Sequence, residues 1–483
     1  MRDQDRDGRV RQRIGWAAGV LAVVGALPQP VLAAPAADPA VQAEIDDLKR
    51  TIDALQTRIQ LLEARTGGAG PITAGPARRP DPVEVVAPPR EMAQPRQILA
   101  PAPGPGRDTV GDEITGVARP GTAPPPNDPD LKGFIPIPGT QTMVKLGGFA
   151  KVNAIYDLDP AGNTDKFVTS TIPMDGRDHA NANLGAEATR FSFEVRRPSS
   201  MGPLRFYLEN DFYGGSGSLA FRLRQAHGQV GNTYAGYGYS AFMDPDALPE
   251  TLDDEGPGGE AFVRLVSIRQ LWRINPDLSA TVSIEDPSSD IALSAGRTAA
   301  QGAPDLSLAL RYGKAWGHVQ LSGVMRNVGY TSAASDDAAF GYGLSLSGLV
   351  HVGGDFVMAG FTWGDGIGRY FNDISGKGYD AVIAPDGAVR TLQAYGGYLG
   401  YTRHWSPRWR SSLVGGGLVL DRDPLLAPTA FRSSAYLAGN LIWAASPSFT
   451  VGVEALHGRH ELQNGRSADA TRLQVSLKYD FVR

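Results

Sequence analysis

From residue 132 to residue 483, apolar and polar side chains alternate with a period of two, and this pattern commits most of the chain to β-strands. The last segment shows it most clearly. Leu473, Val475, Leu477, Tyr479 and Phe481 alternate with Arg472, Gln474, Ser476, Lys478 and Asp480. Phe191, Phe193 and Val195 stand against Arg190, Ser192, Glu194 and Arg196 in the same way, as do Leu204, Phe206 and Leu208 against Arg205, Tyr207 and Glu209. A soluble sandwich would bury the apolar set and wet the polar one. A transmembrane barrel inverts this, with the apolar set in lipid around a wet lumen. Alternation alone fits both.

Three features select the membrane barrel. The chain opens with Arg9, Arg11 and Arg13 and an apolar run over 14–27, which is too short to span a bilayer at about 20 residues. With Val31-Leu32-Ala33 behind it, the run reads as a signal peptide over 1–33. The alternating segments are long, about ten residues, as tilted membrane strands must be. Aromatics stand near segment ends (Tyr156, Phe212, Tyr213, Tyr312, Trp363, Tyr401, Trp405, Trp443, Tyr479, Phe481), where an interfacial girdle would lie.

Sixteen segments are expected, starting near 142, 187, 203, 219, 233, 261, 277, 305, 316, 340, 355, 391, 408, 432, 448 and 471. Some connections are tight (Asn275-Pro276-Asp277, Ser406-Pro407-Arg408, Ser446-Pro447-Ser448) and others long (158–186, 243–260, 366–390). The fold class expected is therefore all-β, a transmembrane antiparallel β-barrel of about 16 strands over 132–483, behind a short helical coiled coil. A closed sheet leaves no backbone unpaired in lipid. Eight strands give a packed interior, whereas sixteen leave an aqueous channel.

Ahead of the barrel, residues 34–65 read as a coiled-coil oligomerisation helix. Ile45, Ile52 and Ile59 occupy a positions, and Leu48, Leu55 and Leu62 occupy d positions. Glu44 with Lys49, and Arg58 with Glu63, are spaced for g–e pairs between parallel helices. Residues 66–131 carry fifteen prolines and read as a spacer that cannot bury enough surface to fold.

Other function classes find little support. The chain has no Cys, which excludes disulfides, thiolate metal sites and a lipid-modified Cys. A formal charge of −5 without a Lys/Arg run argues against nucleic acid. No phosphate loop, zinc helix or Gly-x-Ser-x-Gly elbow is present, so no cofactor, metal or catalytic residue is assigned. His457 and His460 fall on opposite strand faces, and Asp157–Asp165 reads as a polar loop rather than a calcium site.

The polar parity of the early strands carries Lys145, Lys151, Arg190, Arg196, Arg205, Arg222 and Arg224, with Glu194, Glu209 and Asp211 among them. These are the expected pore-lining residues, together with Arg264 and Arg269. The last two differ by five and share the lumen only if a bulge intervenes. A ladder of Arg on one wall facing acids elsewhere would set a transverse field favouring anions, since a guanidinium grips a carboxylate bidentately. The alternative for each Arg is an ion pair supporting the wall. The acidic stretch with Asp244, Asp253, Asp254 and Glu255 is expected either to fold inward as a constriction or to lie on the extracellular surface.

Residues 132–157, the run Leu204–Gly214, Phe221–Gly228, Ala235–Asp244, Pro249–Gly258 and Arg264–Arg269 resemble the DcaP-like outer-membrane porins. So does a coiled coil placed ahead of the barrel. The resemblance implies a trimeric, sixteen-stranded porin in outer-membrane lipid and lipopolysaccharide. It also implies passage of small anions, with dicarboxylates or aromatic acids as solutes. Two other readings stand beside it: an outer-membrane hydrolase of phospholipase type, and an adhesin or cell-wall tether with a plugged barrel.

Overall fold

In the computed structural model, the described residues are 133–175, 179–215, 219–333 and 335–481. The expected signal peptide over 1–33, coiled coil over 34–65 and spacer over 66–131 lie outside them. Sixteen antiparallel strands form one closed ring. They are β1 (Met143–Asp157), β2 (Arg190–Arg197), β3 (Leu204–Asp211), β4 (Arg222–Val230), β5 (Thr233–Tyr239), β6 (Arg264–Arg273), β7 (Leu278–Glu285) and β8 (Asp305–Lys314), followed by β9 (Gly317–Ser332), β10 (Asp336–Val352), β11 (Asp355–Asp365), β12 (Gln393–Ser406), β13 (Trp409–Leu420), β14 (Phe431–Ser446), β15 (Phe449–Leu462) and β16 (Ser467–Asp480). β16 pairs with β1 from Phe149↔Asp480 to Asp157↔Arg472 and closes the ring. The expected starts near 340 and 471 fall four residues inside strands that begin at Asp336 and Ser467; the other fourteen fall closer.

The alternation resolves as an inverted protein. On β16, Leu473, Val475, Leu477 and Tyr479 are exposed, while Arg472, Gln474 and Ser476 are buried at 0%, 2% and 3%. On β9, Val319, Leu321 and Met325 face out, and His318, Gln320, Ser322 and Arg326 face in. In water such an apolar exterior would be costly; in lipid it is the low-energy surface. Trp405, Trp409, Trp443, Tyr312, Tyr401 and Tyr479 belong to this exterior, as a girdle requires. Tyr213 departs from the girdle expected of it and turns into the lumen.

Every connection at one end is short, six residues or fewer. Asn275 accepts from the backbone of Asp277 and Leu278, both at 2.9 Å, and turns β6 into β7 in four residues. Ser406 does the same for Arg408 and Trp409. The segments 158–189, 240–263, 286–304 and 366–392 all lie at the other end.

The long-loop end departs from a uniformly wet lumen. Phe242 and Met243 from 240–263 and Ile367, Tyr370, Phe371 and Ile374 from 366–392 pack on the inward-facing Val324, Ala394, Leu418, Leu420 and Phe431. Ala161, Phe167 and Ile172 from the 158–189 segment pack on Val414, Tyr436, Ala438 and Leu456. Sixteen strands enclose more space than side chains from the wall can fill, so inserted loops supply the missing apolar volume.

Candidate functional site: the lumen and its inserted segment

The 240–263 segment leaves β5 and runs inside the barrel along the wall. Asp244 accepts from Arg311 Nη1 on β8 at 2.9 Å and Ser347 Oγ on β10 at 2.9 Å, and sits 2.8 Å from His318 Nε2 on β9. Glu250 takes both Nε and Nη2 of Arg410 on β13, each at 2.7 Å. The backbone N–H groups of Leu252 and Asp253 donate to Glu454 on β15, at 2.9 and 2.8 Å. Lys151 Nζ on β1 then reaches Leu252 O and Asp254.

Glycines in the wall make room for this backbone. A Cβ on Gly400 would stand 2.5 Å from Pro249 Cβ, and one on Gly452 would stand 2.8 Å from Leu252 Cδ1. Gly259 has φ +87°, and a Cβ there would meet Gly417 O at 2.3 Å. The runs Gly396-Gly397 and Gly415-Gly416-Gly417 are the signal that sequence reasoning passed over, because glycine inside a strand marks close backbone approach.

Within the same segment, Asp253 accepts from the backbone N–H of Phe167 at 2.9 Å, and burial pushes its carboxyl up to about 6. Burial also raises Glu260 well above the ordinary carboxylate range. Asp254 is half-buried, and the adjoining Lys151 holds it below its usual value.

The residues expected to line the pore separate into groups. Lys145, Lys151, Arg190, Arg196, Arg205, Arg222, Arg224, Glu194, Glu209 and Asp211 all lie on the inward parity. The acids, however, lie within the ladder rather than only across from it. Glu194 accepts from Arg196 and Arg205 at 2.6 and 2.7 Å. Glu209 accepts from Arg224 at 2.6 Å, and Asp211 accepts from Arg222 and Arg224. Much of the ladder is thus its own ion-pair network, the wall-supporting alternative. Lys151 pairs instead with Asp254 of the inserted segment, at 3.0 Å.

The expectation that Arg264 and Arg269 need a bulge to share the interior is corrected. The β5–β6 register is unbroken from Thr233↔Gln270 to Tyr239↔Arg264. Arg269 is inward, with its guanidinium on Ser267 Oγ and Tyr239 O. Arg264 is the first residue of its strand, and it lines the cavity beside Phe262, 5.9 Å from that ring.

The resulting cavity has a volume of about 850 Å³, and its lining includes Arg190, Arg222, Arg224 and Arg264 as well as Asp246, Glu250, Asp254 and Glu260. Phe149 lies between Arg190 at 5.3 Å and Lys478 at 4.3 Å. Ten Lys and Arg side chains line it against seven Asp and Glu, so the balance is cationic. Arg311, Arg410 and Lys478 were legible only as members of alternating strands; their role as anchors or lining depends on the inserted segment.

The family model described as DcaP outer membrane protein matches residues 132–481. The outer membrane channel DcaP of Acinetobacter baumannii superposes with a TM-score of 0.64 at 23% identity, over 72% of this chain and 99% of that one. Outer-membrane expressed OmpT of Vibrio cholerae gives 0.47 at 7% identity, over 72% and 100%. Salmonella typhi OmpF in complex with daunomycin gives 0.45 at 10%, also over 72% and 100%. No curated protein matches the chain by sequence.

Proposed function

The chain belongs to the DcaP outer membrane protein family, and on that footing we propose that it is an outer-membrane porin whose lumen passes small hydrophilic solutes and favours anions, dicarboxylates among them. The observation that carries the anion preference is Arg264. Among the described residues its guanidinium has no carboxylate within ion-pair distance, and its side chain lines the cavity with Nη1 buried and unbonded. A passing carboxylate therefore finds a donor fork whose charge the wall has not already cancelled. Arg190 adds to it, since its nearest carboxylate, Glu209, is 3.9 Å away. Burial raises the carboxyl of Glu260 well above the ordinary range, so it sets little negative charge against them.

The lumen charge works by focusing counter-ions within low-dielectric walls. Assembly as a homotrimer belongs to the same reading, with the Ile45–Leu62 heptads in the periplasm, the barrel exterior against phospholipid and lipopolysaccharide, and the N-terminal segment toward the cell wall. The test is the reversal potential of single channels in a planar bilayer under a KCl gradient. A potential of the sign set by chloride flux supports the reading; a cation-selective potential overturns it.

A further inference from the structure

The tip of the inserted segment ends on a junction that the ion-pair ladder does not account for. Lys151 Nζ donates to Leu252 O at 2.7 Å and lies 3.0 Å from both carboxylate oxygens of Asp254. Asn153 Nδ2 approaches the same carboxylate at 3.4 Å. Tyr213 Oη, arriving from the 212–221 connection, donates to it at 3.1 Å. The Tyr213 ring is flanked in turn by Lys166 at 5.2 Å and Arg222 at 5.1 Å. Lys151, Asp254, Tyr213 and Arg222 all line the cavity.

The carboxylate therefore sits within the conducting space, not behind the wall. The tether alone does not require a charge there, because the backbone carbonyl of Leu252 already holds Lys151. What a carboxylate adds is electrostatic. It cancels the one ammonium that β1 brings to this level, and it opposes an anion on that side of the lumen. We infer that Asp254 is a specificity-determining residue, which limits anion preference by neutralising Lys151. This rests on the porin reading above.

Asp254→Asn keeps the shape and the hydrogen-bonding oxygen and removes the charge. The measurement is the chloride-to-potassium permeability ratio from reversal potentials, in channels whose folding is verified by heat-modifiable mobility. Asp254→Asn is expected to raise the ratio about twofold or more, the effect of one charge at several ångströms in a wet lumen. Asp254→Glu should keep the wild-type ratio. Lys151→Gln should move the ratio toward cations by a similar factor, and it decides the matter if Asp254→Asn does not fold. If Asp254→Asn changes conductance or noise but leaves the ratio unchanged, the residue is only a tether and the inference is overturned; an unchanged ratio in Lys151→Gln does the same. The ratio of the wild-type channel judges the anion reading, whereas the difference between variants judges Asp254.

Discussion

Asp157 and Arg472 face each other across the seam at which β16 closes the barrel onto β1, and the guanidinium donates to both carboxylate oxygens, at 2.6 and 3.0 Å. Arg472 is fully buried, donates to Asn163 O at 2.7 Å as well, and lies 5.4 Å from the Phe167 ring. One pair thus joins the first strand, the last strand and the first long loop. Asp157→Asn should cost about 3 kcal/mol or more, because it strands a buried guanidinium. Unfolding in detergent followed by heat-modifiable mobility reads this. Asp157→Asn with Arg472→Met should recover part of the loss, and a double variant weaker than the single one would contradict the account.

The inserted segment should depend on glycine where backbone meets backbone. Gly259→Ala faces both φ +87° and Gly417 O at 2.3 Å, a cost of about 1–3 kcal/mol for the conformation alone. Gly452→Ala meets only the end of the Leu252 side chain. Cleavage by a Glu-specific protease within 240–263 should therefore increase in Gly259→Ala and change little in Gly452→Ala.

Asp253 sets a pH dependence. Its folded-state carboxyl is pushed up to about 6 by burial, above its ordinary value of 3.8, and nearby Glu255 and Asp254 act in the same direction against Arg472. The neutral form is therefore the one that fits. Its stabilisation is fully present below about pH 4 and is lost as pH rises through about 6. Flicker in single-channel records should grow between pH 5 and pH 7, and Asp253→Asn should flatten that rise. A rise of equal size in the variant would assign it to another group.

Arg264 and Arg224 should behave differently although both line the cavity. Arg224→Ala removes the partner of Glu209 and Asp211 and should cost about 3 kcal/mol of stability. Arg264→Ala breaks no ion pair among the described residues, so it should lower the chloride-to-potassium ratio while leaving unfolding nearly unchanged. Equal effects of the two substitutions on stability would refute this division.

What could be read from the chain alone was what neighbouring residues decide together. Alternation at Leu473–Tyr479 and at Phe191–Val195 places strands and faces because side-chain direction repeats every two residues, whatever the rest of the fold does. The sixteen starts and the shared face of the set from Lys145 to Arg224 follow from that local rule, whereas turning the apolar face to lipid rested on strand length, the opening apolar run and the aromatics near segment ends. Tertiary structure decided the rest. Lys151 with Asp254, Thr169 with Asp373 at 2.6 Å, and Arg410 with Glu250 are separated by 103, 204 and 160 residues. Strand parity says nothing about where a loop goes once the ring has closed. Only the volume left inside a sixteen-stranded barrel, and the cost of leaving its apolar wall at Val414 and Leu418 in water, drew these loops inward and left Arg264 lining the cavity.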